Sequence, residues 1–183
     1  MSIILDVETN GLPRSQTNQN AYQGLHVIEL AYLHMETKIE FSSLICHDDA
    51  DMVDVSNTTR FHGITKDLID TKGRHAMQVL NEFYDFLVTH DIHTIIGHNV
   101  EFDIHFLISE SVFYNHENLT CRLQNMKSIC TMKDSRVTKY MQSSKWPRLE
   151  EVYMKIFHVR PTKTHRALQD CYLVREVYTF LFT

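Results

Sequence analysis

The sequence predicts a single α/β domain, spanning residues 1–183, built on a sheet of mixed direction. Three strand-like segments follow one another within residues 1–46 and form an antiparallel meander. Beyond them, segments with the apolar spacing of helices alternate with short apolar strands. No repeat, low-complexity tract or linker divides the chain. Its 183 residues are enough to bury a real core, and 43% hydrophobic with 22% charged residues is a globular balance.

Residues 2–7 are a short apolar run ending in acid and read as a buried strand. Gly11-Leu12-Pro13 and the polar stretch 14–24 form a loop. Residues 25–35 and 39–46 alternate well enough for the second and third strands. The period then changes. Over 74–89, Met77, Leu80, Phe83, Phe86 and Leu87 have helical spacing. Residues 94–97 are a short buried strand, 102–113 a helix, and 126–130 a last strand. Helices over 149–157 and 167–182 close the chain. No apolar run reaches the length of a membrane span. The N-terminus lacks a basic region and a long apolar stretch, so no signal peptide is expected. Cys46, Cys121, Cys130 and Cys171 contain no CxxC pair and read as reduced thiols of a cytoplasmic compartment. Their spacing argues against a zinc site built from Cys121, Cys130 and His158.

A net charge of −5 conceals an uneven distribution. Residues 1–126 carry 7 Lys/Arg against 18 Asp/Glu, residues 127–166 carry 10 against 3, and residues 167–183 carry 1 against 2. The basic stretch includes Lys133, Arg136, Lys139, Lys145, Arg148, Arg160, Lys163 and Arg166. Such a run is ordinarily a solvated face. With Tyr140 and Trp146 interleaved, it also suits a phosphate-contacting surface on which bases stack.

The acids carry the chemistry. In a strand, residues i and i+2 share a face, so Asp6 and Glu8 aim two carboxylates at one point. Their repulsion is relieved by a divalent cation, and oxygen-only ligands suit Mg²⁺ or Mn²⁺ rather than zinc. Alone, Asp-x-Glu is equally a turn with surface charge. Asp103 falls just after a strand, in the first turn of a helix, where an acid also complements the helix dipole, although Glu101 fills that role better. His165 and Asp170 lie five apart, about 500° along a continuous helix, hence roughly 140° apart around its axis. With Thr164 as N-cap, His165 would precede the first turn and fold back toward Asp170. Taken singly, His165 is one of 12 histidines. Taken jointly, four carboxylates and one histidine are the equipment to hold two divalent ions and activate a water, as phosphodiester hydrolysis requires.

Several motifs occur together and in order: Asp6-Val7-Glu8-Thr9-Asn10-Gly11-Leu12, His62-Gly63-Ile64-Thr65, His98-Asn99-Val100-Glu101-Phe102-Asp103, Cys130-Thr131-Met132-Lys133 and His165-Arg166-Ala167-Leu168-Gln169-Asp170-Cys171. Over nearly its whole length the chain resembles the DEDDh 3′→5′ exonucleases, the family typified by the proofreading subunit of bacterial replicative polymerase. It departs at Asn10, where many relatives carry a second Thr.

The resemblance implies an RNase H-like fold, a five-stranded mixed sheet flanked by helices. It implies that Asp6, Glu8, Asp103 and Asp170 bind two ions about 4 Å apart, clamping the attacking and leaving oxygens. His165 would be the general base. Thr9 would meet the terminal 3′ hydroxyl through its backbone, Leu12 would wedge against the last base, and His62, Asn99 and Phe102 would line its pocket. The partner implied is a nucleic acid with a free 3′ end, single-stranded DNA before RNA, cut to nucleoside 5′-monophosphates. A polymerase partner and a homodimer are both open. Two rivals are an exoribonuclease of the same superfamily and a non-catalytic nucleic-acid-binding or polymerase-docking module. The complete set of acids argues against the second.

Overall fold

Strand β1 (Ser2–Thr9) runs through the centre of the sheet. The computed structural model describes residues 1–15, 19–37, 39–48, 53–161 and 166–183. Alternation along β1 sends Ile3, Leu5 and Val7 into one half of the core, with Val79, Leu80 and Phe83 of α3 (Ala76–Thr89) and Phe106 and Leu107 of α4 (Val100–Phe113). Ile4 points to the other half, with Val152 and Ile156 of α7 (Leu149–Phe157) and Cys171, Val174 and Val177 of α8 (Ala167–Phe182). The same period places Asp6 and Glu8 on the α8 face.

β1 pairs antiparallel with β2 (Val27–His34), and β2 antiparallel with β3 (Glu40–Cys46). On its other side β1 runs parallel to β5 (Thr94–Gly97), and β5 parallel to β6 (Lys127–Cys130). The five expected strands are therefore present. A sixth, β4 (Arg74–His75), lies parallel to β3 at the edge, giving the order β4-β3-β2-β1-β5-β6. The strand count of five is thus corrected to six. The extra strand occupies the first two positions of the segment read as helix 74–89. His75 instead caps α3, its Nδ1 accepting from the Met77 amide at 3.2 Å.

Four helices were not read from the sequence: α1 (Thr59–His62), α2 (Lys66–Lys72), α5 (Glu117–Gln124) and α6 (Ser135–Met141). A 3-10 turn, Gln19–Tyr22, interrupts the first loop. Ile64 and Ile69, with Ile28 and Leu44, form a satellite core beneath α2. Among the described residues no helix is long and apolar enough to cross a membrane.

Two features of β1 shape its end. It pairs with β5 only through Ser2–Ile4, so its second half runs on past that neighbour. Its pairing with β2 shifts register between Glu8 and Thr9, a bulge that re-aims the side chains there. The turn from β5 into α4 is tight: a Cβ on Gly97 would stand 3.0 Å from the Val100 side chain and 3.1 Å from the Leu5 carbonyl. Asn99 takes that turn in the left-handed region at φ 72°.

Candidate active site

Where β5 ends, α4 supplies what the sheet no longer does. The Val7 amide donates to Asp103 Oδ1 at 3.1 Å, which brings the first turn of α4 against the free edge of β1. Asp103 is buried, so its burial serves a backbone donor as well as the acid cluster. From the other face comes Asp170, in the first turn of α8. Asp6, Glu8 and Asp170 each offer a carboxylate oxygen within 4.8 Å of the others. These three and Asp103 line one cavity of about 230 Å³, together with Phe61, His98 and Phe102.

Burial and mutual repulsion make this site costly to charge. Burial raises the Asp6 carboxyl well above the usual carboxylate range, and Asp103, Asp170, Glu8 and Glu29 push the same way. Glu8 is raised to about 9, first by burial, then by Asp170 and Glu29, with Arg166 opposing. Asp103 is raised by burial against the lowering effect of the Val7 amide. The donor set is oxygen only and carries an excess of negative charge, which fits hard divalent cations such as Mg²⁺ or Mn²⁺. Asp6, Glu8 and Asp170 converge closely enough to share an ion, and Asp103 lines the same cavity.

The remaining predicted residues are placed unevenly. Thr9 is buried at the end of β1, and its hydroxyl donates to the Gly11 carbonyl at 2.8 Å. Leu12 stands out in solvent, 76% exposed. His62 is buried at the end of α1, its Nδ1 accepting from the Ile64 amide at 3.0 Å. Phe102 lines the cavity and packs on Phe106. Asn99 holds Oδ1 buried with no hydrogen-bond partner among the described residues. An orphaned acceptor on a left-handed residue is a common sign of a functional position. His165 and Thr164 lie outside the described residues. Helix α8 begins at Ala167 with Arg166 at the cap position, two residues after the expected Thr164 cap. Cys121, Cys130 and His158 form no ligand cluster among the described residues.

Sequence reasoning missed three contributors. Glu29, 1% exposed, sits opposite Glu8 in the β1–β2 register. Arg166 Nε donates to both Glu29 oxygens at 3.1 and 3.0 Å, and its Nη2 to Oε1 at 2.6 Å. The Ala167 amide donates to Glu29 Oε2 at 3.1 Å, so a sheet carboxylate caps the helix that carries Asp170. The legible signal was one acid inside the otherwise apolar run 27–33. His98, quoted in a motif but given no role, lines the cavity; its ring nitrogens lie 3.0 Å from the Thr131 hydroxyl and 3.0 Å from the Pro147 carbonyl. Burial lowers its imidazole to about 4, so it is neutral at physiological pH. Phe61, 57% exposed, also borders a second, larger cavity of about 690 Å³ lined by Arg60, Trp146, Arg148 and Asp170. Lys133 Nζ lies 5.1 Å from the Trp146 ring centre and Arg60 stands 4.7 Å from that of Phe61.

The site thus combines a mixed sheet flanked by helices with carboxylates gathered past the end of a parallel strand pair. A family model described as Exonuclease, RNase_T, matches residues 3–178, and the chain belongs to that family. It is 28% identical over 185 residues to the DNA polymerase III subunit epsilon of Rickettsia typhi, covering 98% of this chain and 72% of that protein. Among solved structures it is similar to E. coli Exonuclease I in complex with a dT13 oligonucleotide, at TM-score 0.70 and 14% identity, covering 100% of this chain and 41% of that one. The product-bound form of exonuclease I gives TM-score 0.67 and 15% identity, covering 97% of this chain and 42% of that one. The chain thus spans about two fifths of these solved structures.

Proposed function

We propose that this chain is a two-metal 3′→5′ exonuclease that trims single-stranded or frayed DNA in a cytoplasmic compartment and releases nucleoside 5′-monophosphates. The observation that carries the reading is the convergence of Asp6, Glu8 and Asp170 within 4.8 Å, with Asp103 in the same cavity. Asp6, Glu8, Asp103 and Asp170 would hold the divalent ions, which when bound would supply Lewis acidity. The protein's own residues do the rest. His165, through an imidazole nitrogen, takes the proton from the nucleophilic water. The aromatic Phe102 and the orphaned Asn99 oxygen receive the terminal nucleotide beside Thr9 and His62, and exposed Leu12 separates its base from the next. Upstream nucleotides follow the second cavity, where Phe61 and Trp146 offer stacking faces flanked by Arg60, Lys133 and Arg148.

The similarity to a polymerase III epsilon subunit supports proofreading with a polymerase as partner, and the similarity to DNA-bound Exonuclease I supports single-stranded DNA as substrate. The test is a time course on matched 3′- and 5′-labelled DNA and RNA with Mg²⁺, Mn²⁺ or chelator. Mononucleotides should appear first from the 3′ label, chelator should stop the reaction, and a 3′-phosphate beside four carboxylates should block it. Cutting of a closed single-stranded circle at a comparable rate would reject end selectivity. Preferential digestion of RNA would make the chain an exoribonuclease.

A further inference from the structure

A second cluster of ligand-type side chains lies outside the acid site, at the start of β2, just after β3 and on α4. His26, His47 and Glu110 each place a ligand atom within 4.8 Å of the others. Their side chains are 5%, 3% and 3% exposed. We propose that these three residues form a Zn²⁺ site distinct from the acid centre, tying β2, β3 and α4 together.

The hydrogen bonds leave a lone pair on His47 and on Glu110, and His26 Nδ1, which donates to Glu110 Oε1, gives up its proton in favour of Nε2 when the ion takes its place. His47 Nε2 is 2.8 Å from the Val27 carbonyl, an acceptor only, so that nitrogen carries the proton and Nδ1 is bare. A backbone carbonyl orienting the far nitrogen is the usual support of a metal-bound imidazole. Glu110 Oε1 accepts from the Val27 amide at 3.2 Å and lies 2.9 Å from His26 Nδ1. Its other oxygen, Oε2, is buried with no hydrogen-bond partner among the described residues. Oε2 stands 3.7 Å from His47 Nδ1, too long for a hydrogen bond. Two ligands of one tetrahedral zinc ion stand roughly 3.4 Å apart, given metal–ligand distances near 2.0–2.2 Å. The Tyr114 hydroxyl, 3.0 Å from His47 Nδ1, donates to it in the ion-free protein and turns aside when the ion takes that lone pair. A water completes the tetrahedron. Two imidazoles with one carboxylate favour zinc over Mg²⁺, whereas the oxygen-only acid site favours the reverse.

The test uses the full chain carrying Asp6→Asn and Asp170→Asn, which disables the acid site, stripped with EDTA and loaded with zinc alone or cobalt alone. After desalting, elemental analysis should find one zinc per chain. The cobalt form should show the visible bands of a tetrahedral site, and the unfolding midpoint should rise by several degrees. Adding Glu110→Gln should abolish all three. Should that variant not fold, His47→Ala serves in its place, with circular dichroism as the check of folding. No retained zinc in the cluster-intact protein, or retention that survives His47→Ala or Glu110→Gln, overturns the proposal. Neither outcome bears on the exonuclease reading.

Discussion

At the residue scale, the acids work against the fold until a cation arrives. Removing one should therefore separate activity from stability. Asp6→Asn should lower turnover by roughly 10³-fold, about 4 kcal/mol of transition-state stabilisation. In EDTA at pH 8 the same variant should unfold at a higher temperature than the parent, because it replaces a buried carboxyl that is costly to charge beside other acids with a neutral amide. Single-turnover cleavage and a thermal melt read the two effects. The pH dependence has a definite sign. Glu8 has an ordinary value of 4.5 and is raised to about 9 in the folded protein, so between those limits the native state holds more protons than the unfolded one. Without divalent ions, stability should fall as pH rises through that window, and Mg²⁺ should flatten the decline. Melting curves in EDTA that stay level from pH 5 to pH 9 would contradict the burial of this acid. His165→Ala should reduce turnover by roughly 10²–10⁴-fold while binding to a 3′ end barely changes. A parallel loss of binding would make the histidine a substrate contact instead. Asp6 and Glu8 were legible from period-2 spacing, Asp103 and Asp170 only from the order of motifs that carries the family resemblance. Asn99's orphaned oxygen and left-handed backbone were not, since neither follows from residue type.

At the element scale, α8 is aimed by the sheet. Glu29 satisfies its first amide and holds Arg166, while lying opposite the like-charged Glu8. Arg166→Ala should therefore cost more than Glu29→Gln, because it leaves a buried carboxylate uncompensated beside a second one. The loss should be about 1–3 kcal/mol, discounted because the Arg166 side chain is 40% exposed. Both variants should slow turnover through Asp170 without abolishing it. Chemical unfolding of the single and double variants gives the coupling between the pair; equal losses in the two singles would deny the asymmetry. The long, strongly periodic elements could be read from sequence because burial imposes the period. The short helices could not. α5 and α6 expose most of their polar residues and form by packing against longer neighbours, and β4 is two residues long, fixed by its register with Ile45 and Cys46.

At the scale of the whole molecule, the charge asymmetry acquires a location. Arg148 and Trp146, from the basic stretch, border the cavity that Asp170 also lines, so cationic and aromatic groups flank the acidic centre. Neutralising Lys139, Lys145 and Arg148 together should weaken binding to single-stranded DNA and reduce its salt dependence by up to about one counterion per residue, leaving the maximal rate near normal. Trp146→Ala should weaken binding by about 1–3 kcal/mol with its salt slope unchanged. Binding measured in calcium at several salt concentrations separates the two; an unchanged slope in the triple variant would return the stretch to a solvated face. The sequence located the charge but not the cleft, because the cleft joins residues 60–61, 98 and 146–148, which only the tertiary fold brings side by side.

The overhang of β1 past β5 sets a rule for how this chain tolerates change. Every odd-numbered apolar residue of the strand serves one layer of core, and the even-numbered acids line the candidate site, so the count of residues from Ile3 to Glu8 works as a vernier. Replacing a side chain there alters one contact. Deleting a single residue would exchange the two faces, turn the acids toward α4 and the aliphatics toward α8, and lose core and catalysis in one event. Length, more than composition, is the constrained variable of this strand.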